Sequence, residues 1–509
     1  MRCSFAIGIF LLLNSCSSER ATPGSSDPIP VEQAASSALL RRWVGDPTEW
    51  DGQVSVVGFL PKLNAVFSGD YGGRVRIWSL STPQGPVTYT CGDRIFAIAP
   101  SPDNRSLVIG GDNGKVHIVD PRTGIRRSLL EGHRSHVVSI LYSPDGTLLV
   151  TGDQGLKIQA WRADTLEALR SFGGEGARAS WEALYSLAFV GRDLVSTTDH
   201  GIDVWDLARG TRLRGAAYPL NEEPSATLPG GVLVIADRED RRMEIWDTNS
   251  CKIRAFLTLR SKHVDWGDMI GRSLAFSADG RYLALGCYDG SIRLVEVLTW
   301  KQALFLDTGD CVPLSLAFHP DGGSILSGMK EGAVCLWSLR PPGAGVRSLD
   351  QLDSLWRDLS ADPEVAYPAL WKLAGLGDAA VRYLKGRLSG SSVDHARISS
   401  LLQNLDSDEV IARERSTTEL FQIAPEGLLA AALETSASEE ARGRIRSILG
   451  ERPRPFRIEP GEHSRWRTIE VLERIGTLEA KELLALLSKD SPSVALSGEA
   501  RRALLRLAR

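Results

Sequence analysis

Two histidines in this chain have side chains that could bind a metal ion. His133 and His136 are separated by two residues, and imidazole nitrogens are frequent ligands of zinc. A structural zinc ion takes four protein ligands and a catalytic one takes three, and no third ligand is evident nearby in the sequence. The cysteines also contain no Cys-x-x-C pair. We therefore predict no metal site and no cofactor.

A glycine-rich segment from Gly110 to Lys115, GGDNGK, has the residue types of a phosphate-binding loop. Its spacing is one residue short, Val116 stands where such a loop carries Ser or Thr, and a strand-like pattern follows instead of a helix. We interpret this segment as a hairpin turn, which uses glycine to reach a positive φ.

Residues for acid–base or nucleophilic catalysis form no recognised pattern. A Gly-x-Ser-x-Gly elbow is absent from the sequence, and the acidic residues fall in predicted turns and on predicted helix surfaces, where solvation accounts for them. We expect a protein without catalytic residues. The alternative is a hydrolase or lactonase, which would need acids, histidines or a metal ion converging at one mouth of the fold.

One sequence unit recurs between about residues 58 and 340, and it must position any site that the chain has. Its clearest copies are the octamers Ser139–Gly146, Ser273–Gly280 and Ser315–Gly322. A Trp or Val closes the third apolar run of each unit, at Trp78, Val119, Trp161, Trp205, Trp246, Val295 and Trp337. These seven anchors follow one another at spacings of 41 to 49 residues, which predicts seven units of short alternating strands.

The repeating unit resembles the WD repeat, which has a period of about 40 to 45 residues and four strands. The name-giving dipeptide is present as Trp205-Asp206 and Trp246-Asp247, and the Gly-His element is present once, as Gly132-His133. The resemblance implies an all-β fold, a seven-bladed β-propeller. Such a ring is usually closed by an N-terminal strand, for which Leu39–Val44 is the candidate and Val346–Leu349 the alternative.

The WD resemblance also implies a buried polar network in one blade. Its members would be His133, Thr151, Asp153 and Trp161. The other blades lack the histidine, so we expect their stability to rest on packing.

The links that lead into the first strand of each blade are expected to gather around one end of the central channel. They hold a set of aromatic and charged residues, Arg94, His136, Trp181, Glu182, Asp265, Trp266 and Asp268. Such residues at an exposed rim fit the hot spots of protein interfaces, so we predict a protein partner there. The alternative is that Trp181 and Trp266 pack against neighbouring blades.

The first residues of the chain predict export. Arg2 precedes the apolar run Phe5–Leu13, which is shorter than the roughly 20 residues of a membrane-spanning helix and fits a cleaved signal. The tetrapeptide Leu13–Cys16 resembles the lipobox of bacterial lipoproteins, which implies that Cys16 is acylated. The alternatives are an ordinary export signal cut nearby or a buried N-terminal strand.

Five cysteines remain in the folded body if Cys3 is removed and Cys16 is acylated. Cys287 and Cys335 lie in strand-like runs, so we predict that they are inert, buried thiols. Cys251 and Cys311 lie near predicted strand ends and could pair.

After residue 345 the hydropathy period changes from 2 to 3.6, which predicts about ten short helices in a solenoid-like or compact array. From residue 347 onward 24 Lys and Arg stand against 25 Asp and Glu, so we interpret the abundant arginines as members of surface ion pairs. Segments such as Ala366–Trp371 and Glu470–Thr477 resemble a helical module found beside WD repeats in planctomycete-type bacterial proteins. That resemblance implies no biochemical activity.

The sequence therefore predicts a signal peptide over residues 1–15, a flexible linker over 16–38, a propeller over 39–346 and a helical domain over 347–509. We expect a monomeric, non-catalytic scaffold that binds protein partners and is held by its lipid on the periplasmic or surface side of the bacterial envelope. The net charge of −4 gives no field that would attract nucleic acid, so we expect no such partner.

Overall fold

The computed structural model describes most of the chain from residue 38 onward. The described ranges are 38–44, 52–82, 84–173, 183–199, 201–217, 225–228, 232–237, 242–248, 250–257, 273–342, 349–388, 394–436, 438–451, 460–491 and 493–508. These ranges belong to one unit, which consists of strands followed by helices.

The strands are short because turns with glycine interrupt the apolar runs, as at Asp145-Gly146, where Gly146 has a φ of +72°. Seven strands are the first of their sheets: β2 (Val54–Leu60), β6 (Ile95–Pro100), β10 (Val137–Tyr142), β14 (Leu184–Val190), β18 (Ser225–Leu228), β22 (Ser273–Phe276) and β26 (Pro313–Phe318). The second strands are β3 (Ala65–Asp70), β7 (Leu107–Gly111), β11 (Leu148–Asp153), β15 (Asp193–Thr198), β19 (Val232–Asp237), β23 (Tyr282–Cys287) and β27 (Ser324–Met329).

The remaining strands complete each sheet. The third strands are β4 (Arg74–Ser79), β8 (Val116–Val119), β12 (Ile158–Arg162), β16 (Gly201–Asp206), β20 (Arg242–Asp247), β24 (Ser291–Glu296) and β28 (Ala333–Ser338). The outer strands are β5 (Val87–Thr90), β9 (Arg126–Leu130), β13 (Ala168–Phe172), β17 (Thr211–Ala217), β21 (Lys252–Leu257), β25 (Lys301–Asp307) and β1 (Leu39–Val44).

These strands form seven four-stranded antiparallel sheets, named here blades 1 to 7 in the chain order of their first strands. The first strand of each blade contacts the first strands of both neighbours, and β26 of blade 7 contacts β2 of blade 1, so the blades form a ring. The predicted β-propeller is confirmed. All the predicted Trp and Val anchors lie on third strands.

Blade 7 combines strands from the two ends of the propeller. β1 pairs antiparallel with β28, with Leu39 opposite Trp337 and Trp43 opposite Val334. The ring of Trp43 also lies 5.8 Å from the ring of Trp78 in blade 1, measured between centroids. The N-terminal candidate is therefore the strand that closes the ring.

Serine hydroxyls on the first strands join neighbouring blades. Ser55 donates to the carbonyl of Ile95 at 2.6 Å, and Ser315 donates to the carbonyl of Val54 at 3.3 Å. The blades are thus joined by hydrogen bonds as well as by apolar packing.

The expectation that the stability of blades without the histidine rests on packing is incomplete. The indole of Trp205 donates to Ser196 at 2.8 Å in blade 4, and the indole of Trp337 donates to Ser327 at 2.7 Å in blade 7. These two blades keep the hydrogen bond between the Trp indole and a hydroxyl, which is half of the predicted network. The serine can accept this bond whether or not a histidine is present.

The described residues after the propeller form ten helices, as the change of period predicts: α1 (Leu352–Asp358), α2 (Pro363–Gly375), α3 (Asp378–Leu388), α4 (His395–Asn404), α5 (Val410–Ile423), α6 (Glu426–Thr435), α7 (Glu439–Glu451), α8 (His463–Ile475), α9 (Leu478–Asp490) and α10 (Val494–Leu507). Helices α1–α3 and α8–α10 share one apolar core, and α4–α7 share a second. Helix α6 joins the two groups by contacting α9 and α10. Within the described ranges, every helix is too short or too polar to cross a membrane.

The cysteines of the propeller are free thiols. Cys287 and Cys335 are buried, in agreement with their strand positions. The pairing that the sequence left open for Cys251 and Cys311 is not present, since both are unpaired.

Candidate functional site

The two kinds of loop at one end of the ring are joined by backbone hydrogen bonds. In an antiparallel blade, the link into the first strand and the turn between the second and third strands lie at the same end. The amide of Tyr71 donates to the carbonyl of Gln53 at 3.1 Å, and the amide of Asp112 donates to the carbonyl of Arg94 at 3.1 Å. We call this end of the propeller the upper rim and the opposite end the lower rim.

Three aromatic side chains follow the upper rim from blade 1 to blade 3. Tyr71 follows β3, Phe96 lies on β6 and His136 precedes β10. The ring centroids of Tyr71 and Phe96 are 5.8 Å apart, and those of Phe96 and His136 are 5.3 Å apart in an edge-to-face arrangement. All three side chains are partly exposed. We call these residues the rim row.

The loop that carries His136 is held in place by a buried hydrogen-bond network around His133, three residues earlier in the chain. The ring of His133 lies 3.0 Å from the Asp153 carboxylate through Nδ1 and 2.6 Å from the Thr151 hydroxyl through Nε2. The indole of Trp161 donates to the same hydroxyl at 3.0 Å. The structure thus brings together the four residues that the WD resemblance implies.

Asp153 also binds the backbone of this loop. Its carboxylate accepts hydrogen bonds from the amides of Arg134 at 3.2 Å and Lys157 at 2.9 Å. Burial of Asp153 opposes its ionisation, but the bonds from His133 and from these amides outweigh burial and lower the pKa of its carboxyl group. The charged form of Asp153 therefore holds the loop before β10.

Charged side chains are exposed beside the aromatic rings of the rim row. Arg94 is exposed on the link just before Phe96, and Arg134 is exposed just before His136. The Nδ1 atom of His136 is buried and has no hydrogen-bond partner among the described residues. Aromatic rings beside guanidinium groups suit binding of another molecule's surface, because rings bury large areas and arginine adds directed hydrogen bonds.

The sequence predicted part of this site. Arg94 and His136 lie on the upper rim as expected, but Trp181, Glu182, Asp265, Trp266 and Asp268 lie outside the described residues, as does Cys16. Those positions stay predictions. Across the described ranges, the structure contains no group of three His, Cys, Asp or Glu side chains arranged to hold a metal ion.

Sequence reasoning missed Tyr71 and Phe96. Only the links into the first strands were considered, and Tyr71 lies in a turn between a second and a third strand. That turn lies at the same end of the blade, so the strand order alone could have identified Tyr71. Phe96 lies inside a strand that looks like ordinary core.

The lower rim of blades 6 and 7 is covered by helices. Arg467 of α8 binds Glu296 of β24 with two contacts of 2.7 Å, and the hydroxyl of Tyr367 on α2 donates to the carbonyl of Leu339, just after β28, at 2.7 Å. The interpretation of the helical arginines as surface ion pairs is therefore wrong for Arg467, which is buried. The rim row lies at the opposite end of the blades.

Comparison with known proteins identifies the repeat. The family model described as WD domain, G-beta repeat, matches residues 124–162, 261–296 and 305–338. Each matched segment ends at the last residue of a third strand.

Three curated relatives match between 41% and 50% of the chain. The chain is 28% identical to the protein ROOT INITIATION DEFECTIVE 3 of Arabidopsis thaliana, over 43% of the chain and 52% of that protein. It is 25% identical to the human angio-associated migratory cell protein, over 41% of the chain and 46% of that protein. It is also 25% identical to the guanine nucleotide-binding protein subunit beta-1 of Nicotiana tabacum, over 50% of the chain and 71% of that protein. The chain spans about half the length of the first two relatives.

Proposed function

We propose that this WD-repeat protein is a non-catalytic scaffold that binds a protein partner through the rim row of its propeller. The observation that carries the proposal is the continuous contact of Tyr71, Phe96 and His136 across three blades. Arg94 and Arg134 are exposed beside this row. Tyr and Arg are among the residues that contribute most to protein interfaces.

A protein is the partner that this surface fits best. Aromatic rings without a basic stripe favour protein over nucleic acid, because nucleic-acid sites depend on clustered positive charge. The chain has a net charge of −4. The name of the tobacco relative describes a subunit, which is in keeping with a protein that works in partnership.

We further propose that the protein is tethered in the bacterial envelope by acylation of Cys16. The apolar run before Cys16 and the lipobox-like tetrapeptide support this. β1 is antiparallel to β28, and third strands run from the upper to the lower rim, so Leu39 lies at the lower end. The rim row lies at the other end of the blades.

The assignment of the helical region to the planctomycete-type module is also a proposal. It rests on segments such as Ala366–Trp371, which contribute to the core shared by α1–α3 and α8–α10. The region adds a second surface beside the propeller without supplying an activity of its own.

The test compares two phenylalanines in the full-length protein. Partners are crosslinked in a native-type host and identified by mass spectrometry, and the purified partner is then titrated against wild type, Phe96→Ala and Phe305→Ala. Phe305 lies on outer strand β25 of blade 6 and is 50% exposed, so it controls for loss of an exposed ring away from the rim row.

We expect Phe96→Ala to weaken the purified complex while Phe305→Ala leaves its affinity unchanged. Equal affinity for wild type, Phe96→Ala and Tyr71→Ala would contradict the rim proposal. A Cys16→Ala variant is expected to bind the partner normally but to leave the membrane fraction, and continued membrane attachment of that variant would contradict the lipid tether.

A further inference from the structure

Blade 7 is the place at which the ring can open. Its strands β26–β28 end the propeller and its outer strand β1 begins it. β1 is held to β28 by hydrogen bonds and packing. These are the first and last strands of the propeller in chain order, and no covalent link joins them. The ring opens if β1 leaves β28 or if blade 6 separates from blade 7.

Helix α8 holds blade 6 through a buried ion pair. Arg467 Nε and Nη2 each lie 2.7 Å from an oxygen of Glu296, with side-chain exposures of 2% and 7%. Arg467 Nη1 also donates to the carbonyl of Leu359 at 2.6 Å. The guanidinium therefore joins the end of β24 to the link between α1 and α2.

A second buried group joins blade 6 to α8 and α10. Arg281, in the turn between β22 and β23, lies 2.7 Å from Glu473 and 2.9 Å from Glu499. The hydroxyl of Tyr282 donates to Glu470 at 2.9 Å, and Glu470 pairs with Arg474 at 2.8 Å. Arg281 keeps these two helical carboxylates as partners only while the helices remain docked on the blade.

Helix α2 reaches across to blade 7 and to the beginning of β1. The Tyr367 hydroxyl donates to the carbonyl of Leu339 at 2.7 Å, and its ring lies edge-to-face on Tyr282 of blade 6 at 5.3 Å. Tyr367 shares an apolar cluster with Ala38 and Trp337. Ala38 is held in turn by the amide of Ser338, which donates to its carbonyl at 2.7 Å.

We infer that the helical region is a clasp that keeps the propeller ring closed. It binds blade 6 through Arg467 and Arg281 and blade 7 through Tyr367, and Tyr367 shares a buried apolar cluster with Ala38, just before β1. Blade 7 and the start of β1 can leave Tyr367 only if this side chain moves away or if the helices undock from blade 6. Undocking would break the buried Arg467–Glu296 pair, which costs far more than losing an exposed pair. This role of the helices is independent of the partner-binding proposal.

Hydrogen exchange of the full-length protein tests the clasp. Amide exchange is followed by mass spectrometry in peptides covering β1, β28 and, as an internal reference, β6–β8 of blade 2. The variants are Glu296→Gln, which breaks the buried pair, and Tyr367→Phe, which removes one hydroxyl and keeps the ring. The matched control is Arg397→Gln, because Arg397 forms an exposed ion pair with Glu419 between α4 and α5.

We expect Glu296→Gln to speed exchange of β1 and β28 by about tenfold or more, and Tyr367→Phe to speed it less. Exchange in β6–β8 should stay at the wild-type rate in both variants, and Arg397→Gln should change neither. Unchanged β1 exchange in Tyr367→Phe and Glu296→Gln, with faster exchange confined to α8, would overturn the clasp. Equal acceleration in every blade would also overturn it, because the effect would then be loss of global stability.

Discussion

Arg281 and Glu499 are 218 residues apart in the chain and are joined by a buried ion pair of 2.9 Å. Arg281 belongs to blade 6 and Glu499 to α10. Arg506 of α10 bonds to the same Glu499 carboxylate at 2.8 Å. The propeller and the helices therefore share one buried polar cluster, and separating them would remove a buried ion-pair partner from each side.

The first prediction is that Arg281→Gln lowers the free energy of unfolding by about 3 to 5 kcal/mol, since it leaves buried carboxylates short of a partner. Denaturant unfolding followed by circular dichroism measures this change. The exposed pair of Arg397 provides the control, and Arg397→Gln is expected to cost less than about 1 kcal/mol. Wild-type unfolding in two separate transitions, one for strands and one for helices, would contradict the shared core.

The second prediction concerns the network beneath the rim row. His133→Ala should destabilise the protein by about 1 to 3 kcal/mol, because the buried Asp153 carboxylate loses a charge-assisted hydrogen bond. Exchange of amides 131–136 should rise, and binding at His136 should weaken. His319→Ala is the matched control, since His319 is a partly exposed histidine at the lower rim and its loss should cost at most about 1 kcal/mol. Equal effects of the two variants would argue against a special role for His133.

Much of the propeller could be predicted because its signals are local. The Asp-Gly turns, the alternating strands and anchors such as Trp161 each lie within one blade, so each can be recognised in a short stretch of the sequence. The histidine network follows for the same reason, since His133 lies on the link into blade 3 and Thr151 and Trp161 lie on neighbouring strands of that blade.

The clasp and one member of the rim row, Phe96, could not be predicted because their partners are distant in the chain. Arg467 and Glu296 look like surface charges in their own segments, and only docking of α8 on β24 buries both. Phe96 resembles any alternating strand residue, and nothing near it in sequence shows that its ring reaches His136 of the next blade. Such contacts depend on how blades pack, which a local pattern does not encode.

The third prediction is a pH dependence from Asp153. Its pKa in the folded protein lies below its ordinary value, so its ionised form stabilises the fold above about pH 4, the ordinary pKa of the group. That contribution is lost as pH falls through the lower pKa of the folded state. Comparing the unfolding free energies of wild type and Asp153→Asn from pH 6 downward measures it. The difference between them should shrink on acidification, and a constant difference would contradict the charged form of Asp153.

The fourth prediction distinguishes the cysteines by reactivity. Burial raises the pKa of Cys287 to about 11 and that of Cys335 to about 12, and the thiolate is the reactive form. Cys251 and Cys311 are unpaired and partly exposed. In native protein at pH 8, iodoacetamide should therefore label Cys251 and Cys311 while sparing Cys287 and Cys335, as mapped by mass spectrometry. Denatured protein is the control, in which all four should react. Protection of both Cys251 and Cys311 in the native protein until a reductant is added would show that they pair after all, and rapid native labelling of Cys335 would show that blade 7 opens where the clasp should hold it.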